Sequence, residues 1–186
     1  MRILTSLPPG KARFTIVDPV GLGQSLSSFM HLADADERLV SSRIWTDQRH
    51  IEQALVDLTD HLENVIQKYL RNDYETIAQY NEAAGEIAEP YRFLVLQDFP
   101  TNLSEIAAKR LASLLTSGPR CGIFTLIHQD HRHALPRGFD EAVLERGSWI
   151  LEQRGDHFHP AEPELSEFKV ELQDEISDEQ ATRVIQ

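Results

Sequence analysis

Tyr91-Arg92-Phe93-Leu94-Val95-Leu96-Gln97-Asp98-Phe99-Pro100 is the stretch whose reading decides the fold. Four consecutive apolar residues, Phe93 to Leu96, run into the polar pair Gln97-Asp98, and Phe99-Pro100 ends the run. A continuous apolar run this short predicts a strand covered on both faces, as in a parallel sheet. Open α/β sheets place their ligands beyond the carboxyl ends of the strands. Gln97 and Asp98 therefore stand where a ligand site is expected, with a nucleotide-bound metal as the natural candidate. The plainer alternative is a strand ending in a polar turn.

Two further strands flank this one in sequence. Arg13-Phe14-Thr15-Ile16-Val17 follows the Pro8-Pro9-Gly10 turn and ends at Asp18-Pro19. Cys121-Gly122-Ile123-Phe124-Thr125-Leu126-Ile127 is again apolar and emerges at His128-Gln129-Asp130-His131-Arg132-His133. Helices lie between them. Ile51, Leu55, Leu58, Leu62, Val65, Ile66 and Tyr69 recur at spacings of three and four, which predicts a helix from Thr46 to Arg71. Thr46 is its expected cap, with Asp47 in the first turn and Lys68 and Arg71 at the far end. A more polar helix is expected over Tyr74–Glu86. After the central strand, Asn102 with Glu105 reads as a capping box for a helix carrying Ile106, Leu111, Leu114 and Leu115 that stops at Gly118-Pro119. Strand, helices, strand, helix, strand predicts parallel βαβ units and an α/β fold.

The chain has 186 residues and a formal net charge of −12. That length supports one domain with a sizeable core. The acidic balance argues against a surface that coats nucleic acid or an anionic membrane, and against sequence-specific DNA binding by this chain alone. The single cysteine, Cys121, forms no internal disulfide, so a reducing cytoplasm is the simpler expectation. No apolar run has the length of a signal peptide core or a membrane span. Gly10-Lys11 is not a phosphate-binding loop, because Thr5 stands where its first glycine belongs and Ala12 replaces Ser or Thr. Gly21-Leu22-Gly23 fails the dinucleotide fingerprint at Leu26. Both read as turns.

An ordered series of pieces from Phe14 to about Asp130 resembles the motor domain of FtsK/SpoIIIE-type ATPases, which pump DNA; related members drive type VII secretion. Ile16-Val17-Asp18-Pro19 resembles the family's strand ending in Asp-Pro, and Met30-His31-Leu32 its Pro-His-Leu. The helix from Thr46 resembles the long helix after a Thr-Asp. Ile77-Ala78-Gln79-Tyr80-Asn81-Glu82 resembles Leu-Ala-Gly-Tyr-Asn-Glu. Pro90-Tyr91 and the apolar strand resemble the Walker B strand, and Gly122 to Gln129 the strand ending in a sensing glutamine.

The resemblance implies a RecA-like (P-loop NTPase) core: a mainly parallel sheet with flanking helices, incomplete at the N-terminal P-loop strand. Residues 1–134 would form the partial ATPase core, and 135–186 an extension with short strands at Ser148–Gln153 and Phe168–Leu172 and an acidic tail over Glu171–Glu179. Phe14–Val17, Phe93–Leu96 and Ile123–Ile127 would be adjacent and parallel in that order. The resemblance also implies ATP and Mg²⁺ as cofactors of the complete motor, DNA as partner, and a homo-oligomeric ring.

Two departures bear on activity. The family's Asp-Glu holds Mg²⁺ through water and activates the attacking water. Here Gln97 falls on the Asp and Asp98 on the Glu. Gln97 orients water without supplying charge, and Asp98 can take one of the two roles as the implied metal and nucleotide residue. Gln129, the implied γ-phosphate sensor, sits one residue closer to Gly122 than in the family. The Walker A loop, which precedes the Asp-Pro strand in the family, is not found ahead of Phe14. The expected function is thus a motor part that does not hydrolyse ATP alone. The alternatives are a non-catalytic assembly domain or a motor part for protein secretion.

Other constellations have plainer readings. His128, Asp130, His131 and His133, with His157 and His159, contain zinc-ligand types but fit a solvated loop better. Arg154-Gly155-Asp156 reads as a turn, Cys121 as a small buried residue, and Trp45 and Trp149 as core. No arginine is distinguished by pattern as an arginine finger.

Overall fold

The computed structural model describes residues 2–171 apart from Ser42 and Asn72, together with Gln180, Thr182 and Arg183. A short helix α1 (Arg2–Ser6) precedes strand β1 (Ala12–Val17). A 3₁₀ segment (Gln24–His31) and α2 (Leu32–Ala35) lead to the long helix α3 (Gln48–Lys68) and then α4 (Ile77–Ala84). The central strand β2 (Tyr91–Phe99), helix α5 (Glu105–Ser117) and strand β3 (Ile123–Gln129) follow. A turn of helix α6 (Ala142–Glu145) precedes a hairpin of β4 (Leu151–Arg154) and β5 (His157–Pro160).

Among the described residues the main sheet has the order β1-β2-β3, and both pairings are parallel. Phe14, Phe93 and Phe124 are register neighbours across the three strands. The sequence order of strands and the central place of Phe93–Leu96 are therefore as expected. The element order explains why: each parallel pair needs a crossover, and the helices supply it.

The periodic face of α3 buries Ile51, Leu55, Leu58, Leu62 and Val65. It meets Ala107, Leu111 and Leu114 of α5 over the sheet face formed by Val17, Leu94, Leu96 and Ile123. A second cluster covers the β1 side of the opposite face, where Ile16 packs with Leu32 and Val40 and is flanked by Phe14, Phe29 and Val95. The outer edge of β1 is also covered. Phe14 N–H donates to the Leu39 carbonyl (2.7 Å), Ser41 N–H to Phe14 (2.9 Å), Trp45 N–H to Ile16 (2.9 Å) and Asp18 N–H to Trp45 (3.0 Å). Val40 and Trp45 thus lie alongside β1, in parallel bridges to Phe14 and Val17 respectively.

Several sequence expectations need correction. Coverage on both faces does not extend to β3, where Phe124 and Leu126 are 39% and 44% exposed. Cys121 and Gly122 precede that strand, and Cys121 is buried in a 3₁₀ turn. Asp47, not Thr46, caps α3 by accepting the His50 N–H (3.2 Å). Ser104, not Asn102, caps α5 by accepting from Ala107 N–H (3.1 Å). Ile106 is exposed, and Ala107 and Ala108 take the buried positions. The polar helix is shorter than expected and begins with a capping box between Thr76 and Gln79. Trp149 is 64% exposed, so it is not core, whereas Trp45 packs against the core.

In the C-terminal part, β4 and β5 form a hairpin around the Arg154-Gly155-Asp156 turn, and Val170 bridges Phe158 of β5. Most of the expected acidic tail, and Leu172 of the expected last strand, lie outside the described residues.

One half-buried group makes the fold sensitive to acid. Burial pushes the His61 imidazole down to about 4, with Arg92 and Arg13 adding repulsion to its charged form. At neutral pH it is uncharged, and Glu89 Oε1, 3.8 Å away, does not pair with a cation there. Because the unfolded chain binds the proton more readily, stability present above pH 6.5 is lost as pH falls toward about 4. The denaturation midpoint of the native chain should drop over that window, and His61→Gln should drop less. Parallel curves for the two proteins would refute the assignment.

Candidate functional site at the carboxyl ends of the strands

All three parallel strands point their carboxyl ends the same way, so their terminal polar residues converge. At the end of β1, Asp18 is 1% exposed. Its Oδ1 accepts the Gly21 N–H at 2.8 Å and its Oδ2 the Gly23 N–H at 3.1 Å. Gly23 takes φ +83°, a conformation that suits glycine. The glycine loop is thus folded back on a carboxylate. The amides of Gly21 and Gly23 are thus already engaged.

At the end of β2 the register with β3 shifts between Leu96 and Phe99. Asp98 takes φ +51°, and the Phe99–Pro100 peptide is cis. The shift turns Asp98 toward His128 on β3: its Oδ1 lies 3.3 Å from His128 Nδ1, and its backbone N–H lies 3.4 Å from the same nitrogen. The two contacts are alternatives. A bare Nδ1 accepts the amide, and a protonated Nδ1 donates to the carboxylate. Gln97 beside it is half-buried. Asn102, with φ +56°, donates from Nδ2 to the Thr46 carbonyl at 3.0 Å, tying the loop after β2 to the loop before α3.

At the end of β3, Gln129 is the register partner of Phe99, and its Nε2 lies 3.5 Å from His131 Nδ1. Asp130 donates its N–H to Phe99 O at 2.8 Å. Arg132 grips the Asp130 carboxylate through Nε (2.9 and 3.1 Å), Nη2 (2.6 Å) and its backbone N–H (3.0 Å). These bonds hold the Asp130 carboxyl well below the usual carboxylate range and raise the Arg132 guanidinium, to which Asp98 also contributes. His133 Nε2 stands 3.6 Å from the same carboxylate.

The structure therefore brings Gln97, Asp98 and Gln129 to one end of the sheet, and adds His128, which the sequence offered only as a zinc-type ligand, and Arg132, which no sequence pattern singled out. The Asp-x-Arg spacing after a strand was the available signal for Arg132. Asp130 is already paired with Arg132, whereas Asp98 is a partly exposed carboxylate beside His128. Among the described residues no group of three or more His, Cys, Asp and Glu side chains is placed to hold a metal ion. His159 lies on the separate hairpin, its Nδ1 3.1 Å from the Ser166 carbonyl. Among the described residues no helix is long and apolar enough to cross a membrane.

No family model matches the chain, and no curated protein matches it. Solved structures do. EssC (ATPases 2 and 3) from Geobacillus thermodenitrificans is similar with a TM-score of 0.63 at 13% identity, over 98% of this chain and 38% of that one. The chain thus spans well under half of that protein's length. At this identity the likeness concerns the fold alone, an α/β, RecA-like one.

Proposed function

We propose that this chain is part of an FtsK/SpoIIIE-like, ATP-driven motor and carries its Walker-B-like strand and its sensor strand. The single observation behind this reading is the convergence of Gln97-Asp98 and Gln129 at the carboxyl ends of neighbouring parallel strands in an ATPase fold. The reading assigns residues 1–134 to the motor core and 135–186 to an extension. In a complete motor Asp98 and Gln97 face the water shell of a nucleotide-bound Mg²⁺, and Gln129 faces the γ-phosphate. DNA is the cargo that the motifs suggest, and protein is the alternative.

The residues present do not by themselves fit Mg²⁺-ATP. A hard cation wants several oxygen ligands, and Asp98 is one carboxylate. The glycine amides that could meet phosphate are bound to Asp18. The same two facts favour the second reading, an assembly domain that keeps the fold without the chemistry.

A steady-state phosphate-release assay tests the proposal. The 186-residue chain is expected to show no turnover above background, and Asp98→Ala to leave that result unchanged. Turnover that Asp98→Ala abolishes would overturn the expectation. The reading frame upstream of Met1 separates the two readings. A phosphate-binding loop there, with turnover of the longer chain lost in Asp98→Ala, supports the motor; a longer chain without either supports the assembly domain.

A further inference from the structure

We propose that a hydrogen phosphate ion binds beneath α3, at the amino ends of the strands, held by the guanidinium groups of Arg13 and Arg92 and recognised by the carboxylate of Glu89. Side-chain alternation puts the two arginines together. Arg13 shares a face of β1 with Val17, and Arg92 shares a face of β2 with Leu94 and Leu96. Val17, Leu94 and Leu96 pack under α3 and α5, so both arginines belong to that layer. They are also direct register partners on neighbouring strands. α3 starts beside the Val17–Trp45 bridge, at the carboxyl ends, and runs back toward the amino ends. This brings His61 within reach of the charges of Arg92 and Arg13.

The pair is charged and unsatisfied. Among the described residues neither guanidinium makes a hydrogen bond or an ion pair, and Arg92 Nε is shut off from water with no partner. Arginine stays protonated in proteins, so the site cannot relieve itself by losing a proton. Burial pushes the Arg92 guanidinium down, and Arg13 adds to the effect. Two half-buried cations on adjacent strands, one with a donor that lacks an acceptor, call for an anion. Glu89 does not fill that role. Asn81 clamps its main chain, Nδ2 donating to the Glu89 carbonyl at 2.9 Å and Oδ1 accepting the Glu89 N–H at 2.8 Å. Its carboxylate lies toward His61 Nε2 (3.8 Å) and the Tyr69 hydroxyl (3.4 Å), and it makes no ion pair with either arginine. One carboxylate would in any case leave one of the two cations unpaired.

The chemistry of the cluster selects the ion. Two guanidinium forks suit an oxyanion that carries two charges and several acceptor oxygens. A fixed carboxylate beside them repels an anion that has no proton to share, such as sulfate. Hydrogen phosphate keeps one O–H, which donates to Glu89 while the other oxygens accept from Arg13 and Arg92. A phosphate monoester has lost that proton at neutral pH, since its second ionisation falls near pH 6, at roughly one unit below neutrality. The His61 imidazole is itself uncharged at neutral pH and adds neither attraction nor repulsion. Both arginines remain partly exposed, so an ion reaches them from solvent.

Titration of the 186-residue chain with sodium phosphate at neutral pH, against sodium chloride at equal ionic strength, tests this by calorimetry and by amide chemical shifts. The expected result is saturable binding that shifts the signals of Arg13, His61, Glu89 and Arg92 and leaves those of Gln97, Asp98 and Gln129 in place. Sulfate and phenyl phosphate should bind about tenfold more weakly or worse, and Glu89→Gln should narrow that gap. Arg92→Met should weaken phosphate binding about tenfold or more, with unchanged circular dichroism showing that the variant folds. Arg13→Met makes the same test of the other cation and serves alone if Arg92→Met does not fold. Chloride matching phosphate, shifts confined to the carboxyl ends of the strands, sulfate binding as tightly as phosphate, or full binding by a folded arginine variant would each overturn the proposal. No nucleotide enters these measurements, and the site lies at the opposite ends of the strands from Asp98 and Gln129, so they stand apart from the motor reading.

Discussion

Replacing Gly118 with alanine is expected to destabilise the fold by about 1–3 kcal/mol, the usual cost of forcing atoms into a filled site. Gly118 is not there for a left-handed backbone, since its φ is −59° and ψ −46°. It is there because two main-chain strands of atoms crowd its α-carbon. A β-carbon would press on the Leu114 carbonyl oxygen, far inside contact distance, and would lie 2.8 Å from the Ile123 carbonyl oxygen. Both are backbone, so neither can swing aside. The residue is also the corner between α5 and β3. Its N–H donates to Leu114 O (2.7 Å), and its carbonyl accepts from Cys121 (2.8 Å) and Ile123 (2.9 Å). Moving it disturbs the last helical turn and the first residue of the strand together. Denaturant unfolding should show a lower midpoint with an unchanged slope. Gly155 is the control: its alanine would meet nothing within 4 Å but would inherit φ +64°, which costs about 1–2 kcal/mol. Gly118→Ala matching the parent midpoint would show that the corner can relax.

Leu94→Ala is expected to cost about 2–5 kcal/mol. Leu94 is fully buried in the middle of the central strand, between Thr15 and Thr125 in register. Its side chain belongs to the cluster in which α3 and α5 pack on the sheet. The helices are held by many other contacts and cannot close around the lost isobutyl group, so the cavity persists. Leu126→Ala, on the exposed side of β3, should cost far less, because little of that side chain leaves water on folding of a single chain. Thermal unfolding of the two variants under conditions where both are monomeric checks the contrast. Equal shifts would mean that the sheet face carrying Leu126 is covered in solution.

The contrast between those two leucines marks the limit of the sequence reading. An unbroken apolar run identifies a strand because only a sheet interior rewards it, and the three runs marked the right strands; the alternation of strands and helices pointed to parallel pairing, and the order β1-β2-β3 came from the family resemblance. The same pattern says how apolar β3 is, not whether a neighbour stands beside it. Caps failed for a related reason. Thr46 and Asp47 are adjacent and both good caps, and only the turn of the chain decides between them. Asn102 reads as a cap, but its side chain goes to the Thr46 carbonyl instead, a contact far along the chain. At the candidate site, Gln97, Asp98 and Gln129 were legible because each ends a recognisable strand. His128 read only as a zinc-type ligand, since its contact with Asp98 is made across strands, and Arg132 was missed although its grip on Asp130 is local.

The path of the chain through its sheet also carries a kinetic consequence. β2 and β3 are joined by one helix, whereas β1 reaches β2 only after α3, α4 and the irregular segments between. Closing the longer loop costs more chain entropy, and distant pairings are slow to form. The β2–α5–β3 unit is thus expected to form first, with β1 docking onto it later. Destabilising changes at Leu111 or Ile123 should therefore slow refolding, whereas changes at Ile16 or Val40 should mainly hasten unfolding.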